Sequence, residues 1–372
     1  MNRYKSARHI CFLVIVMVLG CYPVLLRTGV ISSSSLVLFL GKCICYAIVA
    51  IGLDLIWGYT GILSLGHGLY FCLGAYGMGM YLKLCATHGN ITDFMKTGGL
   101  KELPFIWKPF LHLAPSIFLM LFIPGALAWV LGYLIFKNRV KGVYFSIISQ
   151  ALTWAGYSLF ISLSPYTNGN VGITEIESLA GSLRGDKHIG NLMLMFYSAL
   201  AVLCAVYILA SWLAGTKFGK ILVAVRDGEM RTCFSGYNVC VYKTVIYVIS
   251  AVLAAAAGAL FINFNGGITP SQMTIAYSIN MIIWVAVGGR GTIIGPVIGA
   301  LLINLCEYNL SSGSLVDIWQ YIIGGLFVVM ILFFKGGIIG MMTEQIPSWI
   351  GKKRQKAKDL SEIRLQKEAV HE

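Results

Sequence analysis

Long apolar runs, each near the length of a bilayer-crossing helix, alternate with short polar segments along almost the whole chain. A bilayer core takes about 20 apolar residues per helix. On that measure the pattern predicts ten crossings: Ile10 to Leu26, Leu36 to Trp57, Gly61 to Leu82, Leu113 to Phe136, Gly142 to Leu163, Asn191 to Ala214, Thr244 to Phe264, Ala276 to Val287, Ile293 to Cys306 and Ile318 to Phe334. The eighth and ninth are short, so the expectation is eight to ten spans in an all-α polytopic protein. Two of the runs are broken by glycine. The first is GYTGILSLGHGLYFCLGAY, Gly58 to Tyr76, and a looser version, GGRGTIIGPVIGALL, runs from Gly288 to Leu302. Transporters use such breaks to bring backbone and small polar groups to a pathway at membrane depth. Gly61, Gly66, Gly68, Gly288, Gly289 and Gly291 are therefore candidate structural glycines, while Gly295 and Gly299 form a GxxxG pair and Ser64 with Gly68 a small-xxx-small pair suited to close helix packing.

Composition agrees with the pattern. Hydrophobic residues fill 58% of 372 positions and charged residues only 12%, about half the charge of a soluble domain. The net charge of +13 does not imply nucleic acid, because the basic residues sit beside the apolar runs. With the N-terminus inside, the inner segments hold Lys137, Arg139 and Lys141, then Lys217, Lys220, Arg226, Arg231 and Lys243, then the cluster from Lys352 to Lys358. That bias places both termini in the cytoplasm. Residues 1–346 read as one membrane domain and 347–372 as a charged cytoplasmic tail, and the basic start before Ile10 reads as a retained signal anchor. The ten cysteines have no metal-ligand spacing and lie mostly in apolar runs, where they act as small hydrophobes.

Polar residues inside the runs are candidates for chemistry, since they are costly in a membrane. Ser146, Gln150, Thr153 and Tyr157 recur at helical spacing and share one face of the fifth span. That face suits a solute path and helix–helix contact equally. Asp54, near the inner end of the second span, is either functional or a cap on the next helix; His67 in SLGHG is read as a neutral hydrogen-bonding group on exposed backbone rather than a proton carrier. The outer loop TNGNVGITEIESLAG offers Asn168, Asn170 and Thr174 to a polar solute, or simply makes a turn. On the inner side, residues 215–242 are too long and patterned for a plain turn. A short helix bearing Arg226, Asp227, Glu229 and Arg231, broken at Gly236, would meet a cytoplasmic partner or stay solvated. No GxxxxGK[ST] motif occurs, so any ATP is hydrolysed by another subunit.

GYTGILSLGHGLYFCLGAYGMGMYL, VAVRDGEMRTCFSGYNVCVYK, SAVLAAAAGALF and GGRGTIIGPVIGALL together resemble the LivM-like permeases of ABC importers for branched-chain amino acids and related solutes, over about Ile44 to Met342. DLIWGYTG with Asp54, LPFIWKPF, RVKGVYFSIISQALTWAG and the run ending at Thr292 resemble the urea branch, the UrtC-type permeases. The resemblance implies a bacterial inner-membrane permease subunit, not an enzyme and without a cofactor of its own. It would work with a second homologous permease chain, two ATP-binding subunits and a periplasmic or lipid-anchored solute-binding protein. Arg226, Asp227, Glu229 and Gly236 match the family's coupling segment, and NGNVGIT, residues 168–174, matches an outer motif written GGxNGxT. Asn168 and Val171 depart from that motif, and Gln272 and Asn280 stand where urea-type relatives carry Glu. The expected solute is urea or a small amide; the alternative is a branched-chain amino acid, which as a zwitterion needs compensating groups or helix ends. A passive urea channel and an intramembrane enzyme using His67 and Asp54 are the remaining readings, the latter opposed by the lack of any converging nucleophile or metal set.

Overall fold

The computed structural model describes residues 2–27, 34–140, 142–176, 179, 188–311, 321–322, 324–325, 328–329 and 336–340. Its helices, in chain order, are α1 (Asn2–Arg27), α2 (Ser34–Thr60), α3 (His67–Ala86), α4 (Asp93–Thr97), α5 (Leu113–Lys137), α6 (Gly142–Ser162), α7 (Ser164–Thr167), α8 (His188–Gly215), α9 (Lys217–Asp227), α10 (Glu229–Phe234), α11 (Val239–Asn265), α12 (Ile275–Gly288), α13 (Ile294–Ser311) and α14 (Gly337–Gly340). Short 3₁₀ turns lie at Lys108–Leu111 and Pro270–Met273. Among the described residues there is no strand, only an isolated antiparallel bridge between Ile173 and Ile268.

Five helical stretches among these residues are long and apolar enough to cross a membrane: Ser35–Thr60, Leu113–Lys137, Gly190–Gly215, Val239–Asn265 and Ile294–Ser311. Two shorter apolar stretches, His9–Val24 and Ile275–Gly288, accompany them. The chain is thus an all-α, multi-pass membrane protein. Most expected spans coincide with a helix, but the third does not run from Gly61. α2 continues to Thr60, residues 61–66 are not helical, and α3 starts only at His67. Gly61 is the reason: its φ of +74° is the left-handed turn that ends a helix, and its amide bonds back to the Trp57 carbonyl at 3.0 Å. Of the expected tenth span, Ile318 to Phe334, most residues lie outside those described, as does the tail 347–372.

α11 is the axis of the bundle, packed against α2, α3 and α5. Its SAVLAAAAGALF stretch presents little side-chain bulk, so neighbouring backbones come close. The contact with α3 rests on two glycines. A methyl on Gly74 would run into the Ala255 backbone, and one on Gly258 into the Phe71 carbonyl. Around this crossing pack buried Phe71, Phe261, Tyr70 and Tyr247. Opposite them, α5 leaves Phe118, Phe122 and Trp129 exposed, an apolar surface suited to lipid or to another membrane chain.

Candidate functional site

The non-helical segment 61–66 carries amides and carbonyls that no helix satisfies, in surroundings where unpaired groups are costly. α6 supplies partners for them. Ser146 donates to the Leu63 carbonyl at 2.7 Å, the Leu65 amide donates to Ser149 Oγ at 3.1 Å, and the Thr153 hydroxyl lies 3.3 Å from the Leu65 carbonyl. Ser149 passes its own proton to the Ser146 carbonyl at 2.9 Å. The polar stripe therefore braces the break in the neighbouring chain. Its working members are 146, 149 and 153. Ser149 is an addition to the stripe read from sequence, and its signal was available, three residues after Ser146 and four before Thr153. Gln150 and Tyr157 are half-buried beside them.

His67, at the first turn of α3, is buried and bridges two serines. Ser250 of α11 donates to the Gly52 carbonyl, so the bond of 2.6 Å between Ser250 Oγ and His67 is donated by Nε2. Nδ1 then accepts from Ser64 Oγ at 3.1 Å. One nitrogen donates and the other accepts, which is the neutral tautomer. The expected direct bond from the ring to exposed backbone is absent; the ring reaches Gly52 and the break only through Ser250 and Ser64. Ser64 itself lies in the non-helical segment, so Ser64 and Gly68 do not form a helix face, and Gly66 donates to Ser64 Oγ at 3.4 Å.

Above this network the N-terminus of α3 meets a second irregular segment. The Gly68 amide donates to Ser278 Oγ of α12 at 3.3 Å. A methyl at Gly68 would sit 2.8 Å from that oxygen and 3.0 Å from the Gln272 carbonyl. Within the turn Pro270–Met273, Gln272 Oε1 is buried and without a hydrogen-bond partner among the described residues. The positive end of a helix, serine hydroxyls and an amide oxygen with spare capacity thus converge where two broken segments touch. Asn280 is half-buried two residues beyond Ser278.

Asp54 is buried, and its bonds go to the second glycine break rather than to the start of α3. Its Oδ1 accepts the Gly291 amide and its Oδ2 the Ile293 amide, the latter at 3.2 Å. It ties the second glycine break, Gly288 to Ile293, to the last turns of α2. In that break Gly288 abuts the Gly295 carbonyl, and Gly299 abuts the Trp284 carbonyl, so α12 and α13 meet backbone to backbone. Gly289 (φ +117°) and Gly291 (φ +76°) turn the chain between them.

The segment 215–242 forms two helices rather than one. The chain breaks at Gly228 as well as at Gly236, so Arg226 and Asp227 end α9 while Glu229 and Arg231 belong to α10. Arg226 donates from Nη1 to the Gly58 carbonyl at 2.8 Å and from Nε to Asp227 at 3.0 Å. Glu229 is not a free charge: it pairs at 2.7 Å with Lys243 of α11, whose side chain is only 7% exposed and lies over the Phe136 ring. Arg231, Phe234 and Tyr237 remain on the surface beside a groove of about 950 Å³ that Lys137 and Arg139 also line. Along the sequence Lys243 is only one of several topology-setting basic residues. Its position at the head of an apolar run is the signal that it has a partner.

On the opposite face, NGNVGIT closes on itself. Asn168 Nδ2 donates to the Gly172 carbonyl at 2.7 Å, and Ile173 exchanges two backbone bonds with Ile268 at 2.9 and 2.8 Å. Gly172, at φ +72°, lies so close to the Ile268 carbonyl that no side chain fits. Asn170 and Thr174 are exposed, and Lys83 holds the Thr174 carbonyl at 3.2 Å. The motif is a brace on the turn after α11.

Two broken segments meeting inside a helical bundle, with paired helices carrying the charges at one face, are an arrangement that membrane transport subunits use. A family model described as the permease component of the branched-chain amino acid transport system matches residues 35–332, and the chain belongs to that family. It is a permease subunit, not an enzyme. It is similar to the high-affinity branched-chain amino acid transport system permease protein LivM of Escherichia coli K12, 23% identical over 359 residues, covering 90% of this chain and 76% of the relative. The probable branched-chain amino acid transport permease protein LivM of Methanocaldococcus jannaschii is 26% identical over 318 residues, 78% of this chain and 88% of its own. The ribose import permease protein RbsC of Escherichia coli K12 is 26% identical over 215 residues, 55% and 64% of the two chains. No solved structure matches. The family description and the two LivM relatives favour the branched-chain amino acid alternative, and the expectation of urea finds no support in these relatives and is set aside.

Proposed function

We propose that this chain is the membrane-spanning permease of a bacterial inner-membrane ABC importer that takes up branched-chain amino acids. The observation that carries the reading is the family match across residues 35–332, in a chain whose α3 N-terminus meets the 270–273 turn inside the bundle. A helix N-terminus favours a carboxylate, and buried hydroxyl and amide oxygens favour an ammonium group, so this junction suits a zwitterion. Gln150, Tyr157, Gln272, Ser278 and Asn280 are the residues assigned to the path. A second permease chain completes it, two ATP-binding subunits drive it, and a solute-binding protein supplies it from the side of the 168–174 motif; the chain itself holds no cofactor. Both termini and the coupling helices α9 and α10 lie in the cytoplasm. Closure of the ATP-binding subunits pushes α9 and α10, and Arg226 on the Gly58 carbonyl and Glu229 on Lys243 carry the push into α2 and α11.

The test is uptake of labelled leucine at micromolar concentration by cells holding the complete system, with and without this chain, against excess unlabelled isoleucine, ribose or urea. Energy-dependent uptake that needs the chain and is displaced by isoleucine alone is expected. Displacement by ribose or urea, or leucine uptake indifferent to the chain, overturns the assignment.

A further inference from the structure

Three buried polar residues in the first half of α11, Lys243, Tyr247 and Ser250, fall at helical spacing on one face. Each reaches another helix. Lys243 holds Glu229 of α10 at 2.7 Å. One turn on, the Tyr247 hydroxyl shares a hydrogen bond of 2.7 Å with the Tyr70 hydroxyl of α3. Ser250 donates to the Gly52 carbonyl of α2 and accepts from His67 Nε2 of α3 at 2.6 Å. Thr244, also buried, turns back to the Cys240 carbonyl of its own helix. Beyond Ser250 the helix is apolar as far as Ile262, so the polar stripe runs from α10 to His67 and ends there.

His67 stands next to the Gly68 amide, which donates to Ser278 Oγ at the junction of α3 with the 270–273 turn. On its other side Ser64 Oγ lies 3.1 Å from Nδ1, so α11 and the broken segment 61–66 grip the ring together. We infer that His67 is a positioning residue for import: through Ser250 it makes the placement of the α3 N-terminus, and so of the solute junction, depend on α11 and on the Glu229–Lys243 pair. The inference rests on the permease reading above and adds to it a route from α10 to the solute. Packing alone does not call for polar groups here, because hydrogen-bonded partners buried together can be exchanged for apolar groups of the same shape at little cost. A hydrogen bond fixes direction as well as distance. The stripe places such bonds where α11 meets the pieces that an import cycle has to move together.

The complete importer is reconstituted in proteoliposomes with its solute-binding protein, and leucine taken up per ATP hydrolysed is measured. Misfolded copies contribute to neither quantity, so the ratio reads coupling and not yield. Ser250→Ala is expected to lower it about 3- to 10-fold, the effect of one hydrogen bond. His67→Leu lowers it likewise, and His67→Gln, which keeps a donor and an acceptor, retains most of it. The deciding measurement is a cycle of Ser250→Ala with Glu229→Ala. Lys243 and Ser250 are seven positions apart, about 10 Å along a helix, and residues so separated without a shared partner have additive effects. If the stripe links them, the double variant is no worse than the poorer single one. Fold losses that multiply overturn the inference, as does a native ratio in Ser250→Ala or an equal ratio in the two His67 variants. A native importer whose uptake and ATP hydrolysis do not respond to leucine overturns the amino-acid reading itself, and the inference with it.

Discussion

Asp54 on α2 accepts the backbone amide of Gly291, 237 positions further along the chain. The carboxylate that the sequence offers as functional or as a helix cap holds two backbone amides of the second glycine break. It holds the second glycine break against the end of α2, whose Gly58 carbonyl is in turn held by Arg226 of α9. α9 and the α12–α13 reversal are therefore joined through the last turns of one helix.

Replacing Asp54 by Asn keeps the shape but turns an NH₂ group toward one of the two amides. One buried amide is left unpaired, at about 1–3 kcal/mol. The thermal midpoint of the purified Asp54→Asn chain is expected to fall and uptake to drop, with local opening detectable as faster amide exchange at 289–293. A midpoint and exchange pattern equal to the native chain would remove the tether.

Arg226→Gln removes the charge that spans from α9 to the Gly58 carbonyl while leaving α9 itself intact. In reconstituted importer, ATP hydrolysis should persist and uptake per ATP should fall, because the push no longer reaches α2. A proportional loss of both activities would point to docking instead.

Glu229→Lys places a second ammonium beside Lys243. The native pair is half-screened, with side-chain exposures of 7% and 35%, so its loss costs about 1–3 kcal/mol rather than the full value of a buried pair. The single variant is expected to insert in the membrane and to lose uptake. The exchange Glu229→Lys with Lys243→Glu should restore part of it, and a double-mutant cycle on uptake measures how much.

Gly258→Ala drives a methyl into the Phe71 carbonyl of α3. Backbone cannot turn aside as a side chain can, so the cost is at least the about 1–3 kcal/mol of overpacking. Gly190→Ala, in α8, meets nothing within 4 Å and should leave the thermal midpoint unchanged. Equal midpoints for the two variants would show that α3 and α11 do not depend on this contact.

Much of the architecture is legible along the chain. Apolar runs of bilayer length mark α2, α5, α8 and α11 to within a few residues, because a helix in lipid must satisfy its backbone internally and so announces itself by length and hydropathy. The glycine breaks, too, stand out. What they do is not visible there. Ser146 and Thr153 read as a stripe whose use is open, since periodicity states which residues share a face and not what lies opposite it.

The tertiary structure alone decided the partners. Asp54 to Gly291, His67 to Ser250, Glu229 to Lys243 and Ile173 to Ile268 all join residues set apart by sequence, and the choice among possible partners depends on which helices cross and how closely. That closeness is granted by Gly74 and Gly258, whose value lies in the backbone they let approach. Hydropathy and spacing are local properties and determine which segments enter the membrane; pairing of polar groups is set by the packing of the whole bundle, and so only the assembled fold could show which group each of these residues holds.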